Sequence, residues 1–371
     1  MSSGGIYMDE RAKELAKIVV DYSTSVKPGD FVVIKGEIGV CDFIAEIARN
    51  VVDRKARPVL QIRDPDVKRY FLLNGDIGLL DKTPSYLLEQ AREADVVISV
   101  SYAENPKYLE GVDTDRLAKD NKAYRPISDI VVGDGKQNPG KRWCVVGYPS
   151  VGSAATAGMS FEKYSDVIFS ATNIDWVKFS QKMEKVKDAF DDASLVRIYV
   201  PGKTDLSFSL SGRGGAVSDG RRNMPSGEVF YGPVEDSMEG EITFTYPAIR
   251  DGNEVSGIWL KYSNGEIIEF KADKNQEFLE SMLALDGAKR VGEFGIGCNY
   301  GIKEYMKNLL FDEKIGGTIH LALGRSYKRA LSDGGGLNDS DIHWDIVCDL
   351  RDGGEMYVDG KLVQKDGKWM I

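Results

Sequence analysis

From Met8 to about Phe190 the chain alternates helical stretches with short apolar runs. A helix over 8–24 leads into DFVVIKG, one over 41–54 into RPVLQI and one over 85–94 into DVVISVSY, and RWCVVGYP follows. Parallel strands need a long crossover, usually a helix, so this alternation predicts a mostly parallel sheet covered by helices. From about Ser194 the pattern changes. LVRIYVPG, DLSFSLSG, EITFTYPAI, GIWLKYS, EIIEFKA, TIHLALG, IHWDIVCDL and EMYVDG read as strands joined by Gly or Asn-Gly turns, with a hairpin signal at Ser263-Asn264-Gly265 and helices near 275–285 and 302–312. The expected fold is an α/β N-terminal domain, 1–192, with a mostly parallel sheet, followed by an α+β C-terminal domain, 193–371, with a large antiparallel sheet.

A chain of 371 residues is long enough for two such cores. Its net charge of −10 argues against a general nucleic-acid or anionic-membrane binder, since both need a positive surface. No apolar run reaches signal-peptide or membrane-spanning length, so a cytoplasmic protein is expected. Cys41, Cys144, Cys298 and Cys348 are scattered without C-x-x-C spacing and read as free buried thiols. Gly36 and Gly39 in KGEIGVCDF fall short of a dinucleotide fingerprint and read as tight-turn glycines.

The whole chain has two histidines, both in predicted strands. Alternation puts His343, Asp345 and Val347 on one face of DIHWDIV and Ile342, Trp344, Ile346 and Cys348 on the other, apolar face. In TIHLALG it puts His320 beside Ala322 and Gly324, as though space were left for something. Glu293 lies in the apolar, glycine-rich run VGEFGIG, where an ionised carboxylate is costly without a cation or several hydrogen bonds, and Glu228 lies in a predicted loop, NMPSGEVF. Singly, each reads as well as a hydrogen-bonded or ion-paired residue. Together, two imidazoles and several carboxylates without cysteine form a donor set suited to Zn²⁺, Co²⁺, Mn²⁺ or Fe²⁺.

NMPSGEVF, VGEFGIG, HLALGRSY and DSDIHWDIV resemble, in that order, the metal-binding segments of the M29 family of thermophilic metalloaminopeptidases. The resemblance extends upstream through GKTDLSFSLSGRGGAVSDGRRNMPSGEV, covers roughly residues 145–371, and is only architectural before that. It implies metal ligands at Glu228, Glu293, His320, Tyr327, His343 and Asp345, with the metal site carried by the large antiparallel sheet. It also implies two divalent ions (Zn, Co, Mn or Mg), a peptide substrate with a free N-terminus, and a homodimer. Two ions about 3.5–4 Å apart can share a water and polarise the scissile carbonyl, and Glu228 and Glu293 are the candidates to take that water's proton. Tyr327 lies seven residues after His320, a spacing that alternation sends to the opposite face, so the strand must bulge or end first. Two alternatives share these residues: an iron-dependent ring-opening dioxygenase of the same fold family, and a non-enzymatic metal- or peptide-binding module. Retention of both glutamates favours the peptidase.

Overall fold

The computed structural model describes residues 8–133, 138–250, 252–327 and 334–371. They form two compact units, one of the described residues from 8 to 174 with 220–225, the other of those in 175–219 and 226–371.

The first unit is built on a five-stranded sheet in the order Arg57–Arg63, Phe31–Glu37, Val96–Ser101, Arg142–Gly147, Asn223–Met224, with every pairing parallel. Helices Glu10–Ile18, Cys41–Asp53, Ser85–Glu93 and Thr114–Val132 accompany it. Val32, Val33 and Ile34 in succession are buried, as expected of a strand covered on both faces. Helix starts follow the capping chemistry: Asp113 accepts from Asp115 N and Arg116 N, and Asp64 accepts from Asp66 N and Val67 N with Pro65 behind it. Gly36 turns out to be a packing glycine within its strand, since a Cβ there would lie 2.5 Å from Ile44 Cδ1. The fifth strand was not legible in sequence, because two residues carry no periodicity.

Among its described residues the second unit holds a two-stranded antiparallel ribbon, Ala248–Arg250 with Asn253–Val255, and two large antiparallel sheets. The larger has eight strands in the order Glu266–Lys271, Trp259–Ser263, Glu239–Thr243, Thr204–Phe208, Val196–Val200, Glu355–Val358, Lys361–Lys365, Lys368–Trp369. The smaller has five, in the order His343–Asp349, Thr318–Gly324, Val291–Gly297, Glu228–Tyr231, Ala216–Ser218. One core joins them. Ile198, Leu206, Phe208 and Leu260 from the larger sheet belong to the same buried cluster as Phe294, Ile296, Leu321 and Ile346 from the smaller, and Phe208 meets Phe294 edge to face at 4.8 Å. Helix Trp176–Phe190 adds Met183, Val186 and Phe190 to that cluster.

Of the helix expected over 302–312, only Leu309–Asp312 forms. The Asp312 carboxylate accepts from Met306 N at 2.6 Å and Asn308 N at 2.7 Å, and Lys307 has φ +54°, so the chain is bent into a capped turn before the helix begins.

Candidate metal centre

Strand Val291–Gly297 is the middle strand of the smaller sheet and is buried along its whole length. Phe294 and Ile296 point into the shared core, which leaves Glu293, Gly295 and Gly297 on the opposite face. Register then assembles a site from neighbours. Glu293 and Asp345 both pair with Ala322, one from each side; Gly295 pairs with His320, Gly324 with His343 and Gly297 with Glu228. All of these share one face, and where the carboxylates and imidazoles converge the residues between them are Ala or Gly. Gly295 shows why: a Cβ there would lie 1.9 Å from His320 Cε1 and 2.0 Å from Nε2, so the imidazole lies directly over the glycine. The glycines of VGEFGIG make room for side chains from adjacent strands.

The side chains converge closely. His320 Nε2 is 3.1 Å from Glu293 Oε1, 3.8 Å from Glu228 Oε2 and 3.9 Å from Asp345 Oδ1, and His343 Nε2 is 3.4 Å from Asp345 Oδ1. Glu228, Glu293, His320 and Asp345 are buried. Glu228 Oε2, Glu293 Oε2 and Asp345 Oδ1 have no hydrogen-bond partner, although a buried carboxylate oxygen normally has one. Each histidine turns Nδ1 to a backbone carbonyl, His320 to Glu313 O at 3.1 Å and His343 to Arg325 O at 2.7 Å. In the neutral ring Nδ1–H then donates to that carbonyl, and the Nε2 lone pair is directed into the cluster.

Three buried carboxylates, each with an unpartnered oxygen, gathered around two oriented imidazole nitrogens are the donor set of a hard or borderline divalent cation, so the residues fit a metal ion. Three overlapping groups bring ligand atoms within 4.8 Å of one another: Glu228–Glu293–His320, Glu293–His343–Asp345 and Glu313–His320–Asp345. Without a cation, the anionic field acts on the imidazoles instead. Burial lowers the affinity of His320 for a proton, but the hydrogen bond to Glu293 and the charges of Asp345 and Glu228 outweigh burial and raise its pKa to about 9. His343 is raised to about 10 against the same burial, chiefly by Asp345. Burial raises Glu293, whereas beside His343 the Asp345 carboxyl is held below its usual range despite burial.

Of the six ligands implied by the family resemblance, Glu228, Glu293, His320, His343 and Asp345 are brought together. Glu228 is the first residue of a strand rather than part of a loop. Tyr327 follows the end of strand Thr318–Gly324, where Gly324 has φ +94°, so the strand does end first. Its half-exposed ring packs 5.6 Å from His343 and 5.5 Å from Phe230, at the rim. The cluster lies on the five-stranded sheet, not on the larger one. The reason is register: only there does the His320 strand lie between the His343 strand and the strand whose outward positions are Glu293, Gly295 and Gly297, with Glu228 on that strand's other side.

Sequence reasoning missed Lys314 and Glu313. Lys314 is fully buried, forms an ion pair with Glu313, and places Nζ 3.7 Å from Glu228 Oε1. The signal was three consecutive charges, Asp312, Glu313 and Lys314, in LLFDEKIGGTIH, inside an apolar run. The four cysteines are free, with Cys144, Cys298 and Cys348 buried and Cys41 partly so.

The profile of a family described as thermophilic metalloprotease (M29) matches residues 8–369. The chain is 26% identical to aminopeptidase AmpS of Bacillus subtilis, with 97% of each chain covered. It is 25% identical to aminopeptidase T of Thermus aquaticus, over 98% of this chain and 99% of the relative. Among solved structures, wild-type AmpT from Thermus thermophilus superposes with a TM-score of 0.81 at 24% identity, over 98% of this chain and 99% of that one. The 2,5-dihydroxypyridine dioxygenase of Pseudomonas putida KT2440 superposes with a TM-score of 0.59 at 13% identity, over 97% and 96%. Those two structures speak to the fold. The family match reaches beyond the C-terminal motifs into the N-terminal region.

Proposed function

The chain belongs to the M29 family of thermophilic metalloproteases, and from that membership we propose that it is a metal-dependent aminopeptidase that releases N-terminal residues from peptides. The observation that carries this reading is that the carboxylates of Glu228, Glu293 and Asp345 each stand within 3.8 Å of Nε2 of His320 or His343 and each keep one buried oxygen without a hydrogen-bond partner.

Glu228, Glu293, His320, His343 and Asp345 hold two divalent ions drawn from Zn, Co, Mn or Mg, with Tyr327 as a further ligand at the rim. Glu293, His320 and Asp345 each belong to two of the three ligand groups, so the donors form one continuous cluster that would have room for more than one ion. Bound there, such ions supply Lewis acidity toward the scissile carbonyl and bring the pKa of water toward neutrality. Glu228 and Glu293 would be the candidates to take a proton from that water. The site has a deep end and an open end. His320 and Lys314 are fully buried, whereas the His343 side chain keeps 29% of its exposure and Tyr327 50%. A peptide entering past His343 and Tyr327 meets a closed wall, which supports removal of residues from one terminus. The anionic face favours the amino end.

The reading also includes a cytoplasmic homodimer, since closed two-fold pairing is the commonest assembly. Support for the dimer comes from the edge strand Arg57–Arg63, where Leu60 and Ile62 are exposed. Light scattering reads the assembly state.

The reaction is tested by giving metal-loaded and chelator-treated protein a free dipeptide and its N-acetyl form. Acetylation removes the basicity of the amine while leaving the scissile bond in place, so only the free dipeptide should be cleaved, and only with metal. Equal metal-dependent cleavage of both would remove the amine from the mechanism. Cleavage of neither under several metals would remove the peptidase reading.

A further inference from the structure

Lys314 is the one lysine among the described residues that is buried, and nothing in core packing calls for an ammonium there. Its surroundings are the charged groups of the metal centre. Nζ is paired with Glu313 and lies 3.7 Å from Glu228 Oε1, while the other oxygen of Glu228, Oε2, is unpartnered and faces His320 Nε2 at 3.8 Å. The two oxygens of one carboxylate are therefore given different partners.

The backbone fixes this arrangement. Lys314 N donates to Phe311 O at 3.0 Å, and Asn299 N donates to Lys314 O at 2.9 Å. The Asn299 side chain in turn donates through Nδ2 to Ser226 O at 2.8 Å, and Cys298 N donates to Gly227 O at 2.8 Å. Gly227, with φ +124°, could not carry a side chain here, because its Cβ would lie 2.8 Å from that of Asn299. Three segments, 226–228, 297–299 and 313–315, are thus held against one another, and one of them also supplies the Glu313 carbonyl that orients His320.

We propose that Lys314 is a positioning residue of the metal centre: its ammonium tethers Glu228 Oε1 so that Oε2 alone is presented to the cation. This rests on the metal-centre reading above.

Two physical accounts of Lys314 predict opposite signs. If it acted only as a nearby positive charge, it would repel a divalent cation, and removing it would tighten metal binding. If it orients a ligand, removing it weakens binding, by about 10- to 100-fold for loss of an outer partner. Calorimetric titration of metal-free protein with Zn²⁺ or Co²⁺ distinguishes them. Lys314→Met is expected to raise the metal Kd about 10- to 100-fold, and Lys314→Arg to retain part of the affinity. In a Glu228→Gln background, where there is no carboxylate left to tether, Lys314→Met should add little further loss; a general structural defect would add in full. Should Lys314→Met fail to fold because it strands the Glu313 charge, Glu313→Gln/Lys314→Met undergoes the same titration and is compared with Glu313→Gln alone, since Glu313 belongs to one of the ligand groups; the further loss in the double variant reads Lys314. Unchanged or tighter binding by the folded variant overturns the proposal while leaving the metal centre standing. A wild-type protein that binds no metal overturns both.

Discussion

His343 and Asp345 are two residues apart on one strand, and their side chains meet at 3.4 Å. Either, replaced by Ala, is expected to remove at least one equivalent of metal while the unit stays folded, since Trp344, Ile346 and Cys348 on the other face still fill the core. Metal analysis of the folded variants reads this, and unchanged stoichiometry contradicts it. These residues were legible because two histidines in a chain of this length are conspicuous and because period-two alternation assigns their face. Glu293 was legible as a carboxylate in an apolar run. Lys314 and Glu313 were not, because a charged pair in sequence reads as solvated. The long-range pairing of Asn299 with Ile315, together with the bonds from Asn299 and Cys298 to Ser226 and Gly227, brings Lys314 against Glu228.

At the scale of the element, strand His343–Asp349 ends in a small network. Arg351 donates through Nη2 to Asp349 Oδ2 at 2.6 Å and to the Tyr246 hydroxyl at 2.8 Å, and that hydroxyl donates to Asp349 Oδ2 at 2.7 Å. Burial works against the Asp349 charge, yet Arg351 and Tyr246 hold its pKa below the usual carboxylate value. A depressed folded-state pKa contributes stability above the unfolded value, about 3.9, and loses it as pH falls below that. Asp349→Asn should therefore cost about 1–2 kcal/mol near neutral pH, after discounting for partial exposure, with the gap closing below about pH 4. Urea unfolding at several pH values measures it, and a gap that persists in acid would assign the loss to packing. The long elements were readable from periodicity. The turn at 302–308 was not, since its driving force is one carboxylate folding back on backbone N–H groups.

For the whole molecule, the pattern change near residue 190 announced two kinds of sheet, and both are present. The return of the chain at residues 220–225 to complete the parallel sheet was not announced, because it is a long-range pairing of two residues with Val145 and Val146. A fragment ending at 192 lacks that strand and leaves the Arg142–Gly147 edge bare. It should unfold at lower urea than the first unit does within the full chain and should self-associate more readily. A fragment with the same midpoint and no self-association would show that the strand is dispensable.

The same pairing puts the first unit on a schedule during synthesis. At about 5–20 residues per second, roughly 3–10 s separate the emergence of residue 174 from that of residue 225. Through that interval a four-stranded sheet waits with an open edge while unrelated strands of the second unit are still being made. The nascent chain thus passes through a stage at which half of it is nearly finished and exposed, and a slower ribosome lengthens the exposure.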